Sequence, residues 1–256
     1  MAKQRYGWRP DLPDYRDMMY SAISAPTISR QLPPVVDLSP NCPPVVAQGN
    51  LGSCTANAWA SAHMYEQIKQ KQPSPFYPSR LFIYYNERVM ENTVEYDSGA
   101  SIRVGVKTLV KQGACEEHYW PYRPNMFTKR PPSVAYTSAL HHQVLRYLSV
   151  NNTSINDIRS CLADQHPIVF GFTVYESFES DIVDKTGEAS MPGENDGALG
   201  GHAVMMVGYD DNKKRVKCLN SWGDKWGNKG YFTLPYEYVT KKQLAADFWT
   251  LRLIED

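Results

Sequence analysis

The chain has 256 residues, and its 27 lysines and arginines balance 27 aspartates and glutamates. This balance gives no electrostatic reason to expect nucleic acid or an anionic membrane as a partner. No run approaches the roughly 18 apolar residues that a membrane helix needs, and the first eight residues lack the apolar stretch of a secretory signal. We therefore expect a monomeric globular protein, cytoplasmic by default, with export by another route left open.

The first 31 residues differ in composition from the rest of the chain. They are rich in polar and turn-forming residues and contain Pro10, Pro13 and Pro26. Such a composition predicts an extended arm rather than a packed element. We therefore separate an N-terminal arm, residues 1–31, from a folded domain, residues 32–256.

Helical spacing characterises the first half of that domain. Apolar residues recur every three or four positions along Cys54–Gln72, as one face of an amphipathic helix requires. Ser53 is a suitable N-cap, and Pro73 cannot continue the helix. A second helical stretch, Ile102–Gln112, stops at Gly113.

The second half has the composition of β-strands. Pro167–Tyr175 and Ala203–Tyr209 are apolar and rich in β-branched or aromatic residues. Helices in one half and strands in the other predict an α+β fold with two lobes.

Cys54 is a candidate nucleophile because it opens the first predicted helix. A cysteine attacks as its thiolate, and both a helix N-terminus and a nearby imidazolium lower the pKa of a thiol. Taken alone, however, a cysteine in an apolar helix is more often a small buried hydrophobe.

His202 and Asn220 are the candidate partners of that cysteine. Two strand-like segments flank the polar turn Asp210–Lys214, so the residue numbers of paired positions should sum to about 422 to 424. Those of His202 and Asn220 sum to 422, which predicts Cβ atoms roughly 5 Å apart on facing strands. An asparagine carbonyl beside a histidine fixes its tautomer and aims its other nitrogen at a nucleophile.

Three blocks of the sequence together resemble the signature blocks of the papain family of cysteine peptidases. They are Gln48–Cys54, Gly201–Tyr209 and Asn220–Tyr231, and they occur in the family's order. The resemblance extends from Leu32 to the C-terminus. It implies the papain-like two-lobed fold, with a helical lobe over about 32–135, an antiparallel β lobe over about 136–240, a C-terminal segment 241–256, and the active-site cleft between the lobes.

The resemblance also implies a function, that of a cysteine-type endopeptidase. Cys54 would form a thioester acyl-enzyme, His202 would act as general base and acid, and Asn220 would orient the histidine. Gln48 would donate to the oxyanion. The residues implied in substrate binding are Ser98, Gly99, Gly171, Gly201 and Trp222, with Trp222 also covering the His202–Asn220 pair. No metal or organic cofactor is expected. The implied partners are polypeptide substrates and protein or small-molecule inhibitors of cysteine proteases.

The sequence departs from the common family pattern around the nucleophile. Leu51 and Thr55 stand where the common block has a cysteine and a tryptophan. The usual disulfide pattern therefore cannot be transferred, and the four other cysteines could pair in three ways or stay reduced: Cys42, Cys115, Cys161 and Cys218. Leu51–Ala58 is more similar to bacterial branches of the family.

Two rival functions stay open at this point, an acyl transferase of the transglutaminase type and a catalytically silent binding protein.

The arm is too short for the folded pro-region that most family members carry. We hypothesise that it crosses the cleft as a small inhibitory segment, anchored by Trp8, Tyr15, Met18 and Met19. The alternative is an arm that packs elsewhere and only stabilises the fold.

Overall fold

The computed structural model describes residues 5–23 and 31–255 and has the predicted α+β architecture. We number its helices α1 (Tyr20–Ile23), α2 (Cys54–Lys69), α3 (Arg80–Glu91), α4 (Ile102–Gln112), α5 (Ser133–Ala139), α6 (Ile155–Ala163), α7 (Asp181–Thr186) and α8 (Tyr236–Thr240). The strands are β1 (Val35–Asp37), β2 (Val144–Ser149), β3 (Ile168–Tyr175), β4 (Ala198–Asp210), β5 (Arg215–Leu219), β6 (Tyr231–Pro235) and β7 (Ala245–Ile254).

Helix α2 is the central helix of the molecule. It begins at Cys54 as predicted and ends at Lys69, because Lys71 then takes a left-handed conformation (φ 57°) ahead of Pro73. The helix is buried along most of its length, since it packs against β4 and β7 on one side and against α3 and α4 on the other. Helix α4 has the predicted bounds, with Ser101 capping its start and Gly113 its end.

The strands form one antiparallel sheet in the order β2–β7–β3–β4–β5–β6, and β1 adds to β4. β3 and β4 lie at its centre and are largely buried, which explains their nearly continuous apolar sequences. The ranges proposed for the two lobes stay predictions. The sheet itself spans residues 35 to 254, because β1 and β7 both belong to it.

The register of the β4–β5 hairpin differs from the predicted one. Met205 pairs with Leu219, and an irregularity then shifts the register so that Tyr209 pairs with Val216. His202 is therefore not directly opposite Asn220, and the prediction of direct pairing was wrong. The two residues are diagonal neighbours on one face, where long side chains still meet.

The arm runs over the folded domain rather than away from it. Residues 5–11 are extended, Met19 bridges Ser149, and α1 follows with Tyr20 fully buried and hydrogen-bonded to Asp164 at 2.7 Å. Trp8 is buried as expected, but Tyr15 is 103 % and Met18 57 % exposed, so these two were wrongly predicted as anchors. Residues 1–4 and 24–30 of the predicted arm lie outside the described residues. Within the described ranges, no helix is both long and apolar enough to cross a bilayer.

Candidate active site

Cys54 is fully buried at the first turn of α2, where β4 passes the helix. The backbone N–H groups of Ala203 and Gly7 lower the pKa of its thiol, so both groups lie near the sulfur. Ala203 directly follows His202 along β4. The fold therefore brings the candidate nucleophile and the candidate base to one place, although 148 positions separate them in the sequence.

The imidazole of His202 is held by Asn220 and covered by aromatic rings. Its Nε2–H donates to Oδ1 of Asn220 at 2.8 Å. The ring of Trp222 stacks on it with centroids 4.9 Å apart, and Phe172 meets it edge-on at 5.8 Å. Because Nε2 carries the proton, Nδ1 keeps a lone pair, and Nδ1 has no hydrogen-bond partner among the described residues. This is the tautomer that a general base requires.

Both reacting groups are uncharged in this state of the molecule. Burial raises the pKa of the Cys54 thiol to about 11, more than the N–H groups of Ala203 and Gly7 lower it. Burial lowers the pKa of His202 to about 4, while the hydrogen bond to Asn220 raises it in part. The expected lowering of the thiol pKa at a helix N-terminus is therefore outweighed here by the exclusion of water.

Gln48 is fully buried and held at both ends of its amide. Its Oε1 accepts from the hydroxyl of Ser221 at 2.6 Å, and its Nε2 donates to the carbonyl of Leu51 at 2.9 Å. Nε2 also faces the carbonyl oxygen of Arg5 at 3.3 Å. The side chain is thus pre-oriented, and its donor meets a carbonyl from the arm.

The arm runs through the cleft between residues 97–100 and β4. The peptide group between Gly7 and Trp8 is bound on both sides, since the Gly7 carbonyl accepts from Ala100 N–H at 2.8 Å and the Trp8 N–H donates to the Gly201 carbonyl at 2.9 Å. Arg9 N–H donates to the Ala100 carbonyl at 3.3 Å. A Cβ on Gly7 would lie 1.8 Å from the carbonyl oxygen of Gly52, so the fit requires glycine.

Trp8 enters a pocket, here called the Trp8 pocket, that is lined by Gly171, Gly201 and Asp247. A Cβ on Gly171 would lie 2.0 Å from the indole ring, and one on Gly201 would lie 2.7 Å from it. The indole Nε1–H donates to Oδ2 of Asp247 at 3.0 Å, and the backbone N–H of Asp11 donates to the same oxygen at 2.9 Å. Burial, together with the negative charge of Asp11, raises the pKa of Asp247 to about 6.

Polar side chains attach the arm on either side of Gly7. Arg5 pairs with Asp97 at 2.8 Å, and Arg9 pairs with Glu91. The hydroxyl of Tyr6 donates to Glu179, and its ring lies 6.2 Å from that of His202. A cavity of about 660 Å³ lies between residues 11–19 of the arm and the folded domain, away from Cys54.

The substrate-binding residues implied by the sequence lie in the cleft with one exception. Gly99 touches Gly7, and Gly171, Gly201 and Trp222 adjoin the arm. Ser98 donates to Thr93 and to the Gly99 carbonyl instead, and Ala100 makes the backbone bonds. Sequence reasoning missed three cleft residues, Ala100, Asp97 and Asp247. Of these, only Ala100 and Asp97 adjoin a recognised motif.

Each of the five cysteines, all within the described residues, is free. Burial raises the pKa of Cys42, Cys115 and Cys161 to about 12 and that of Cys218 well above its usual range. The sequence left open whether these four cysteines form disulfides or stay reduced, and in the structure they are reduced.

A two-sided cleft with a cysteine on a helix and a His–Asn pair on an antiparallel sheet defines a class of thiol hydrolase. The family model described as papain family cysteine protease matches residues 32–247. The chain belongs to the papain family of cysteine proteases, which confirms the family, the fold and the enzyme class predicted from its motifs.

Individual relatives cover most of the chain. The structure of xylellain, a cysteine protease from Xylella fastidiosa, is 42 % identical with a TM-score of 0.89 and covers 98 % of each chain. A peptidase C1-like protein of Acanthamoeba polyphaga mimivirus is 48 % identical over 82 % of this chain and 70 % of its own length. A Carica candamarcensis cysteine protease is 16 % identical with a TM-score of 0.63, covers 86 % of this chain and 99 % of that one, and shows the fold alone. The chain spans 70 %, 56 % and 65 % of the length of three of the curated relatives that it matches.

Proposed function

We propose that this protein is a cysteine endopeptidase that hydrolyses peptide bonds through a thioester on Cys54, and that its arm keeps the enzyme inactive until it leaves the cleft. The observation that carries the proposal is that the fold brings Cys54, His202 and Asn220 together. The thiol at the start of α2 adjoins Ala203 on β4, and the preceding His202 is bonded to Asn220 at 2.8 Å.

The chemistry follows from these positions once water and substrate replace the arm. His202 takes the thiol proton through Nδ1, and the sulfur of Cys54 forms a bond to the carbonyl carbon of the scissile peptide. The carbonyl oxygen becomes an oxyanion, for which Gln48 Nε2 is the side-chain donor. The carbon–nitrogen bond then breaks as His202 returns the proton to the leaving amine.

The second half of the reaction releases the acyl group. Water attacks the thioester carbon while His202 accepts one of its protons. The carbon–sulfur bond breaks, the peptide leaves as a carboxylic acid, and the sulfur regains a proton from His202. Asn220 keeps the imidazole aimed throughout, because its carbonyl accepts the Nε2 proton in both the neutral and the charged ring.

The path of the arm supports endopeptidase action. Extended backbone passes through the cleft from Arg5 to Asp11, and the chain continues beyond both ends of this stretch. A cleft that accepts the interior of one polypeptide has room for the interior of another. An exopeptidase needs a group that closes one end of the cleft and binds a chain terminus.

Three features of the bound arm support an inhibitory role. Both reacting groups are fully buried while it lies in the cleft, and its Arg5 carbonyl accepts from the Gln48 donor. It also presents the backbone N–H of Gly7 to the sulfur.

Labelling by an epoxide inhibitor tests the proposal. E-64 is bound in the structure of the Carica candamarcensis protease. We expect E-64 to add one molecule to the full chain, slowly, and to add none to Cys54→Ala. Cys42→Ala is the matched control, since it removes the only partly exposed thiol and should label like the unaltered chain. A silent binding protein would take no label, and labelling that survives Cys54→Ala would overturn the assignment of the nucleophile.

A further inference from the structure

Gln48, whose side chain is the proposed donor to the oxyanion, is held from both sides of the cleft. From the side of the sheet, the hydroxyl of Ser221 donates to its amide oxygen at 2.6 Å. From the side of the helices, the hydroxyl of Tyr122 donates to its backbone carbonyl at 2.9 Å. Tyr122 lies outside the recognised motifs, on the segment between α4 and α5. Because 74 positions separate it from Gln48, the fold alone brings the two together.

The same hydroxyl also binds the residue that precedes the nucleophile. Oη of Tyr122 lies 2.6 Å from Oγ of Ser53, which is fully buried. The sequence predicts Ser53 as the N-cap of α2, but its side chain makes no capping bond in the structure. The hydroxyl of Ser53 binds Tyr122 instead. One tyrosine therefore connects Gln48 to the start of the helix that carries Cys54.

The direction of these hydrogen bonds follows from the donors that are available. A hydroxyl has one proton and a carbonyl can only accept, so Tyr122 donates to Gln48 and accepts from Ser53. Oγ of Ser53 in turn accepts from Nδ2 of Asn57 at 3.0 Å. Burial raises the pKa of Tyr122, which keeps its hydroxyl protonated. Each group thus donates to the next, and hydrogen bonds in such a chain strengthen one another.

Arg80 begins this chain of hydrogen bonds and also fixes the tyrosine ring. Its Nη1 donates to Oδ1 of Asn57 at 3.2 Å, and its guanidinium lies 4.0 Å from the centre of the Tyr122 ring. Glu117 pairs with Arg80 at 2.9 Å and accepts from the backbone N–H of Tyr122 at 3.2 Å. Tyr122 is therefore fixed at its backbone, its ring and its hydroxyl, as a residue that positions another one requires.

Given the proposed peptidase function, we infer that Tyr122 is a positioning residue for the oxyanion donor, which it serves by holding Gln48 at a fixed place relative to the start of α2. The donor has to meet an oxygen that becomes charged only during the reaction, and a misplaced donor loses much of its effect. With its backbone held by Tyr122 and its amide held by Ser221, Gln48 has its donor in place before the oxyanion forms.

A purely structural role for Tyr122 is the alternative. The chain of hydrogen bonds would then stabilise the helices and leave the placement of Gln48 to Ser221, whose carbonyl also accepts from the Gln48 backbone N–H at 2.8 Å. The two roles differ in what Tyr122→Phe does to the reaction. A structural role changes the amount of folded enzyme. A positioning role changes the turnover of each active site, and does so only while the Gln48 side chain is present.

The test uses the full chain with Gly7→Ala, whose added methyl overlaps the Gly52 carbonyl and displaces the arm. Steady-state kinetics are measured on one peptide, and E-64 labelling counts the active sites. Adding Tyr122→Phe keeps the ring against Arg80 and removes only the hydroxyl. We expect kcat to fall roughly 3- to 10-fold with little change in KM, the size of one net hydrogen bond that acts on the transition state.

Tyr136→Phe is the matched control. It removes a tyrosine hydroxyl that donates to Oδ1 of Asn86 at 3.1 Å, away from Gln48. We expect its kcat per active site to equal that of the parent. A loss as large as the one in Tyr122→Phe would mean that any such hydroxyl matters, and it would overturn the inference.

A double-mutant cycle with Gln48→Ala separates the two roles of Tyr122. Adding Tyr122→Phe to Gln48→Ala should lower kcat by less than about twofold, because the donor that the tyrosine positions is already gone. A loss of the same size in both backgrounds overturns the inference, as does an unchanged kcat in Tyr122→Phe alone. If no peptide is cleaved and E-64 does not label Cys54, the proposed function fails instead.

Discussion

The α-carbon of Gly7 approaches the backbone of Gly52 so closely that a Cβ on Gly7 would lie 1.8 Å from the Gly52 carbonyl oxygen. Gly52 lies two residues before Cys54, so this close contact of the arm lies next to the nucleophile. Because backbone meets backbone there, no rotamer change can relieve an added methyl group. Residue 7 must therefore be glycine for the arm to occupy the cleft in this way.

Gly7→Ala should therefore activate the full chain. Overpacking of this kind costs about 1–3 kcal/mol, which shifts the docking equilibrium of the arm roughly 5- to 150-fold towards release. We expect the rate of E-64 labelling and the cleavage of an unstructured protein to rise by a factor in that range.

The matched control is Gly193→Ala, because a Cβ on Gly193 would have no neighbour within 4 Å. It should label and cleave like the unaltered chain. Equal rates in Gly7→Ala and the unaltered chain would mean that the arm does not limit access to Cys54, and the arm would then serve only to stabilise the fold.

Gln48 offers a second test, on the reaction itself. Its donor is aimed by the bond from Ser221 to Oε1, at 2.6 Å. In the Gly7→Ala chain, Gln48→Ala should lower kcat by about 10²–10³-fold with little change in KM, since the lost donor acts on the oxyanion rather than on the ground state.

Ser221→Ala gives the graded comparison for Gln48. It leaves the donor in place and removes only one bond that orients it, so we expect about a tenfold loss of kcat, in line with the net free energy of one hydrogen bond. Steady-state kinetics on a single peptide measure both variants. A rise in KM with unchanged kcat in Gln48→Ala would assign Gln48 to substrate binding instead.

The sequence predicted the central elements of the site because each carries a local signal. The whole of α4 follows from the Ser101 cap and from apolar spacing, which act within a few residues. Helix α2 begins at Cys54 as predicted, but Ser53 makes no side-chain capping bond there and the helix is buried on nearly every side.

The blocks around His202 and Asn220 gave the partners of the nucleophile. Their direct pairing was wrong because the register is set at the turn, where Asp210 pairs with Arg215, and the length of that turn cannot be read exactly from the sequence.

What the sequence could not predict depends on long-range contacts. Trp8 and Asp247 are 239 positions apart, and nothing local marks either as the partner of the other. Tyr20 is buried while the more apolar Met18 is exposed, because the arm has only one face against the domain and its register decides which residue is covered. The raised pKa of Cys54 likewise follows from how the assembled fold and the docked arm exclude water.

A last prediction concerns stability and a buried carboxyl group behind the nucleophile. Glu87 on α3 is fully buried, and its Oε2 accepts from the hydroxyl of Thr55, the residue after Cys54, at 2.9 Å. Oε1 has no hydrogen-bond partner among the described residues. Burial raises the pKa of Glu87 to about 8, so the folded protein keeps this carboxyl protonated at neutral pH.

The sign of the pH dependence follows from proton binding. The unfolded chain releases this proton near pH 4.5, whereas the folded chain keeps it to about pH 8. Between pH 4.5 and about pH 8 the folded state binds one more proton than the unfolded state. The contribution of this group to the free energy of unfolding is therefore fully present below pH 4.5, and it decreases by roughly 1.4 kcal/mol per pH unit as the pH rises between the two values.

Glu87→Gln should remove this slope, because a neutral amide of the same shape has nothing to release. The free energy of unfolding, measured in urea between pH 5 and 8 in the Cys54→Ala background, should fall more steeply with glutamate than with glutamine at position 87. Glu237→Gln, on an exposed side chain, is the matched control and should keep the steeper slope. Parallel curves for glutamate and glutamine would mean that Glu87 is ionised in the folded protein, with the positive charge of Arg88 outweighing the effect of burial.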